Sequence, residues 1–84
     1  MNDERSPIQH TLVLRRVEPE QNVARFYALM IDRDLFGRIV LVRHWGRIGS
    51  RGRERLDEYA SEVEAAAAMG KLAAAKRRRG YQDL

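Results

Sequence analysis

Residues 42–55 read VRHWGRIGSRGRER and set the chain's one tryptophan, Trp45, among Arg43, Arg47, Arg51, Arg53 and Arg55. An indole offers a flat face on which a base or ribose can pack, worth roughly 1–3 kcal/mol per base. Guanidinium groups bind phosphate bidentately and stack on rings, where an ammonium acts as a point charge. Interleaving the two suits a sugar-phosphate chain. Gly46 has no side chain, so a partner can approach the backbone closely there. The candidate binding residues are therefore Trp45, Arg47, Arg43, Gly46, Arg51 and Arg53. A second reading stands beside this one. A lone Trp in a small domain often anchors the core, with arginine stems covering its edge. Gly49 and Gly52 are also ordinary hairpin residues. Residue types alone leave both readings open.

The charge distribution favours a polyanion partner. The net charge of the chain is +4. Residues 38–55 hold six arginines against Glu54, whereas residues 1–37 are close to neutral and residues 56–84 balance. A local basic field raises both on-rate and affinity for polyanions. The cluster Lys76, Arg77, Arg78 and Arg79 has a first reading as a solvated helix end and a second as an auxiliary phosphate contact.

These side chains need a scaffold, and 84 residues suffice for one domain. Residues 10–17 alternate and carry β-branched side chains, so they read as a strand. Residues 18–22 are a turn. Residues 25–31 (RFYALMI) form a short apolar run and read as a central strand. Phe26 and Tyr27 point to opposite faces there, and Phe26 is the expected core residue of the two. Residues 32–37 make a hairpin loop with Gly37 at positive φ. Residues 38–48 are the strongest strand. One of its faces carries Ile39, Leu41, Arg43, Trp45 and Arg47; the other carries Val40, Val42, His44 and Ile48. Residues 49–52 close a second hairpin onto a polar strand, 53–59. Ser61 and Glu64 form a capping box that opens an alanine-rich helix running to about Arg79, with Gly80 as its C-cap. Ala65, Ala68, Met69 and Leu72 form the stripe that faces the sheet. A tail from Tyr81 could return to it. The expected architecture is α+β: an antiparallel sheet of four to five strands with one C-terminal helix packed on one face. Residues 1–8 read as a disordered arm and residues 9–84 as the single domain.

Other chemistry finds little support. The chain has no cysteine, which excludes disulfides and thiolate metal ligands and makes a reducing cytoplasm the expected location. Nothing in the spacing of His10 and His44 favours a zinc site. Ser50 and Ser61 have no nearby base, and Asp32 and Asp34 are loop formers first. The start MNDERSPIQH lacks the apolar stretch of a signal peptide, and no apolar run reaches the roughly 20 residues of a membrane helix. No catalytic residue, cofactor or membrane partner is expected.

Trp45, Gly46 and Arg47, followed by Ile48, Gly49 and Gly52, resemble the signature of the WGR domain. Asn22, Arg25, Phe26 and Tyr27 resemble the family's Asn-x-x-Lys-Phe-Tyr segment, with arginine in place of lysine. Leu56, Tyr59, Ala65, Met69, Leu72, Lys76, Gly80 and Tyr81 fall at the spacing of its helix and tail. The resemblance runs over about residues 10–82 and implies a sheet-plus-helix fold. It also implies contact with DNA near a break, with Trp45 packed on the terminal nucleotide. In DNA-damage-responsive poly(ADP-ribose) polymerases the motif arginine links DNA contact to neighbouring domains. This chain resembles the small stand-alone bacterial members, so Arg47 is read here as a direct phosphate or partner contact. The first reading is a monomeric, non-catalytic nucleic-acid-binding module for DNA ends or breaks, acting with a DNA-processing protein. The alternative is a protein-interaction module that docks an acidic partner through the same Arg/Trp face.

Overall fold

A computed structural model describes residues 10–84; the proposed N-terminal arm, 1–8, lies outside the described residues. Strand β1 (Thr11–Glu18) leads through a single 3-10 turn (Pro19–Gln21) into β2 (Val23–Arg33). Asn22 takes the left-handed conformation between them, φ 56°. Then come β3 (Ile39–Arg47), β4 (Arg53–Tyr59), helix α1 (Glu62–Arg78) and a two-residue strand β5 (Gln82–Asp83). All pairings are antiparallel and the spatial order is β4-β3-β2-β1-β5. The tail thus returns as a fifth strand on the outer edge of β1. The fold is α+β, with one C-terminal helix on one sheet face, as the sequence pattern predicts.

Period-two alternation decides which side chains the helix covers. Leu14 of β1, Tyr27, Leu29 and Ile31 of β2, and Ile39 and Leu41 of β3 share one face and are buried. Ala65, Met69 and Ala73 of α1 close over them, with Leu72 and Ala68 at the margin. A stripe of alanines lets the helix axis approach the sheet closely. Tyr27, not Phe26, is the core residue: it is 4% exposed. The reason is register. Tyr27 lies in phase with Leu29 and Ile31, and Phe26 falls on the opposite face, where its ring meets His44 edge-on at 5.0 Å.

Both ends of the helix are specified locally. Ser61 accepts a hydrogen bond from the Glu64 N–H at 3.1 Å. At the other end Gly80 adopts φ +96°, and the N–H groups of Gly80 and Tyr81 donate back to Arg77 O and Lys76 O at 3.0 and 3.1 Å. This reverse turn drives Tyr81 into the core, 7% exposed, and starts β5.

Candidate nucleic-acid interface

Strand register assembles the site. On the helix-bearing face Tyr27, Trp45 and Arg53 stand in one row across β2, β3 and β4. The row beyond it pairs Arg25 with Arg47; the row before it sets Leu29, Arg43 and Arg55 side by side. Like charges directly opposite one another in a sheet are unfavourable. Two such pairs flanking one aromatic is therefore a cost the sheet carries beside Trp45.

The two arginine pairs are treated differently. Asp57 bridges Arg43 and Arg55, accepting from Arg43 Nη2 at 2.8 Å and Arg55 Nε at 3.2 Å. Those two hydrogen bonds, Arg43's first, hold the Asp57 carboxyl below the usual aspartate range despite some desolvation. Burial disfavours the Arg43 charge, and the interactions with Asp57 and Tyr27 together outweigh it, leaving the guanidinium above its ordinary pKa. The Arg43 Nε is buried without a hydrogen-bond partner among the described residues. Arg43 thus faces the site as a wall whose charge Asp57 already engages. The Arg25–Arg47 pair has no such carboxylate among the described residues. Arg47 instead donates to the Asn22 carbonyl at 3.4 Å and to Asn22 Oδ1 at 3.2 Å. Arg25 has no ion pair among the described residues.

Trp45 is half-buried. It packs against the core, tilted 42° from the Tyr27 ring with centroids 6.4 Å apart. The two readings left open by sequence are both true of one ring: part of it anchors the core, and the rest is open to solvent. The open part borders two cavities. One, about 340 Å³, lies toward the helix and is lined by Tyr27, Arg43, Leu72, Ala75, Lys76 and Arg79. The other, about 510 Å³, lies toward the hairpin loop and is lined by Arg25, Gly46, Ser50, Gly52 and Arg53. Trp45 is the one residue that lines both.

Of the helix end, Lys76 and Arg79 lie beside Trp45, lining one cavity with it. Lys76 Nζ sits 4.6 Å over the Tyr27 ring and 5.2 Å over Tyr81. Burial, then repulsion from Arg79 and Arg25, pushes its pKa below the usual lysine range. Arg77 does point away, held by both oxygens of Asp83 at 2.8 Å. Sequence reasoning names Arg25 in the family-like segment but not among the candidate binding residues. The signal was its offset of two from Tyr27, which puts both on one face, but the register with β3 was needed to bring it beside Arg47.

The 48–52 loop is built by its glycines. A Cβ on Gly46 would stand 2.7 Å from Gly52 Cα, and one on Gly52 would stand 2.5 Å from Trp45 O and 2.8 Å from Phe26 Cζ. The close backbone approach at Gly46 is thus made by the chain's own loop. Gly49 and Gly52 take φ +93° and +74°. His44, on the opposite sheet face from Trp45, fixes the loop through Nε2 and Arg51 O at 2.7 Å, and the Ser50 hydroxyl donates to Arg47 O at 2.7 Å. Arg51 and Arg53 project from this frame with no side-chain ion pair among the described residues.

The family model of the WGR domain matches residues 10–84. The chain belongs to the WGR domain family. WGR domains are in general nucleic-acid-binding modules. This WGR chain is also 40% identical over 73 residues to the uncharacterized protein y4dW of Sinorhizobium fredii, covering 87% of this chain and 36% of that protein. It therefore spans little more than a third of the length of that relative. A crystal structure of a Bacteroides fragilis protein resembles it with a TM-score of 0.70 and 24% identity, over 88% of this chain and 19% of that one. That likeness bears on the fold alone. No helix among the described residues is long and apolar enough to cross a membrane.

Proposed function

We propose that this WGR domain is a non-catalytic, cytoplasmic module that binds DNA at ends or breaks. Trp45 packs on a terminal base or sugar, and the cations around it neutralise the flanking phosphates. One observation carries the reading: the half-buried Trp45 lines two cavities walled by Arg25, Arg53, Lys76 and Arg79, none of which has a carboxylate partner among the described residues. An indole flanked on both sides by unpaired cations suits a strand crossing the ring with one phosphate on each side. Arg51 extends the basic surface along the loop. Arg47 has donors left over after holding Asn22 and contributes through them. Arg43 shapes the cavity, its charge being engaged by Asp57.

The test is a titration of a blunt-ended duplex, followed by anisotropy at moderate and high salt. Micromolar or tighter binding that weakens steeply with salt is expected, and Trp45→Ala should weaken it at fixed salt. An unchanged affinity in that variant removes the stacking role. No binding at moderate salt would assign the face to an acidic protein partner instead.

A further inference from the structure

Helix α1 covers one face of the sheet and leaves the other open. On the open face the strands bring together Val13 of β1, Phe26, Ala28 and Met30 of β2, Val42 of β3 and Leu56 of β4. Register makes one patch of them. Met30, Val42 and Leu56 stand in a single cross-strand row, and Val13 and Ala28 stand in the next. Met30 is 40% exposed and Leu56 56% exposed, while Val13, Ala28 and Val42 are half-buried. A strand with one face in water ordinarily alternates apolar with polar residues. Residues 26–30 do not: Phe26, Ala28 and Met30 lie on the open face, and Tyr27 and Leu29 on the covered one. A sheet that is apolar on both faces calls for a layer on each.

The charged groups around the patch indicate the second layer. Of those that the strands set on the open face, Glu58 faces Arg38 at 3.8 Å, and the Asp32 carboxylate accepts from the Arg33 N–H at 2.8 Å. The side chains of Arg15 and Glu54 have no partner among the described residues. They are one cation and one anion, and they stand on opposite margins of the patch, Arg15 on β1 and Glu54 on β4. A face whose two unpaired charges are arranged in this way is complementary to itself under a twofold rotation. The charges also select the axis. A twofold lying across the strands sets β4 over β4 and brings Glu54 toward the acids of its copy. A twofold lying along the strands, between β2 and β3, sets β1 over β4 and Met30 over Val42. Arg15 is level with Gly46, and Glu54 is level with His44, so the two are about 7 Å out of line along the strands. Stacked sheets lie about 10 Å apart, and an arginine and a glutamate are long enough to bridge that gap at this offset.

We propose that the open face packs on the same face of a second copy, forming a closed dimer in which Arg15 of each copy pairs with Glu54 of the other. The two sheets then make an aligned sandwich with Met30, Val42 and Leu56 at its centre. Strands β1 to β4 at about 4.8 Å spacing, over about seven residues at about 3.4 Å each, give a footprint of about 450 Å² per copy, or about 900 Å² in all. That is the size of a weak, reversible contact, with a dissociation constant between about 10 μM and about 1 mM. The helix and Trp45 stay on the outside, so the dimer holds two Trp45 clefts that face opposite ways. It does not rest on the nucleic-acid reading of those clefts, because neither its residues nor its test involves them.

Sedimentation velocity on the full chain, without nucleic acid, is the experiment. From about 10 μM to about 1 mM the weight-average mass should rise toward twice the monomer and level off there. Leu56→Lys, at an exposed position within the patch, should keep the chain monomeric while its far-UV circular dichroism stays that of the parent. Arg15→Glu and Glu54→Arg should each raise the dissociation constant about tenfold, and the two together should restore it, since the pair re-forms with its signs exchanged. That rescue separates a specific dimer from loss of fold and from non-specific adhesion. A parent still monomeric at about 1 mM overturns the proposal and leaves the face to a different protein. So does a mass that grows past the dimer, a Leu56→Lys variant that associates like the parent, or a double charge variant no tighter than the single ones.

Discussion

The salt dependence of binding should sort the arginines by whether the fold already neutralises them. Arg25, Arg51, Arg53, Lys76 and Arg79 have no carboxylate partner among the described residues, whereas Arg43 and Arg55 share Asp57. Each phosphate neutralised on a duplex contributes about −0.9 to the slope of log affinity against log salt. Five contacts give a slope near −4.5, or about a 500-fold loss between 50 and 200 mM salt. Arg53→Gln should remove one contact, bring the slope to about −3.6 and reduce that loss to about 150-fold. Arg43→Gln, on the neighbouring row of the same sheet face, should leave the slope unchanged within error. Its effect should appear instead as lower stability, because Asp57 loses its shorter ion pair. The assay is anisotropy of a labelled blunt duplex at four or five salt concentrations, with denaturant unfolding of each variant. If Arg43→Gln flattens the slope as much as Arg53→Gln, pairing to Asp57 does not withhold a charge from the ligand. If both slopes equal the parent's, the cations around Trp45 are not the phosphate contacts.

Four further outcomes follow from the same geometry. Trp45→Ala should cost roughly 1–3 kcal/mol of binding and also lower the unfolding midpoint, because the ring packs on Tyr27; Trp45→Phe should recover stability more fully than affinity. Gly52→Ala should be strongly destabilising in denaturant unfolding, since a Cβ would stand 2.5 Å from Trp45 O, while Gly37→Ala, at φ +80° in open space, should cost only about 1–2 kcal/mol. Asp57 has a folded-state pKa below the unfolded value, so its pairing contributes stability above about pH 4 that is lost as pH falls through the lower folded value; Asp57→Asn should therefore flatten the fall of stability below pH 4 in acid titrations. Lys76→Met should raise the thermal midpoint, because burial and the Arg79 and Arg25 charges oppose the ammonium, while weakening duplex binding in the anisotropy assay.

The elements were legible because each announces itself over a few residues. Ser61 caps the helix that its side chain predicts, and Gly80 ends it with the left-handed turn that only glycine adopts freely. The alternation in β3 alone puts Trp45, Arg43 and Arg47 on one face and His44 on the other. Pairing between strands was not legible in the same way. A choice between Phe26 and Tyr27 needs the phase of β2 relative to the covered face, and an apolar run of RFYALMI has no polar alternation to reveal it. Arg25 entered the site only through its register with Arg47, and Lys76 and Arg79 only through the path of the helix across the sheet. Such placements depend on residues 20 to 50 positions away.

The same non-local packing explains why exposure of Trp45 was not decidable from residue types. Trp45 packs against the core beside Tyr27, and it also lines two cavities bounded by cations. A ring wholly exposed would be free to turn; one wholly buried could touch no ligand. Holding one edge in the core fixes the plane of the other, which is the preorganisation a stacking contact needs. The cost is visible beside it. Arg25 stands opposite Arg47 on the sheet, and Lys76 is desolvated between further positive charges. A fold selected for stability alone would place carboxylates there, as it does at Asp57 one row away. Cations left unpaired around an oriented aromatic make physical sense where their counter-charge arrives from outside the chain, and a phosphate backbone would supply it.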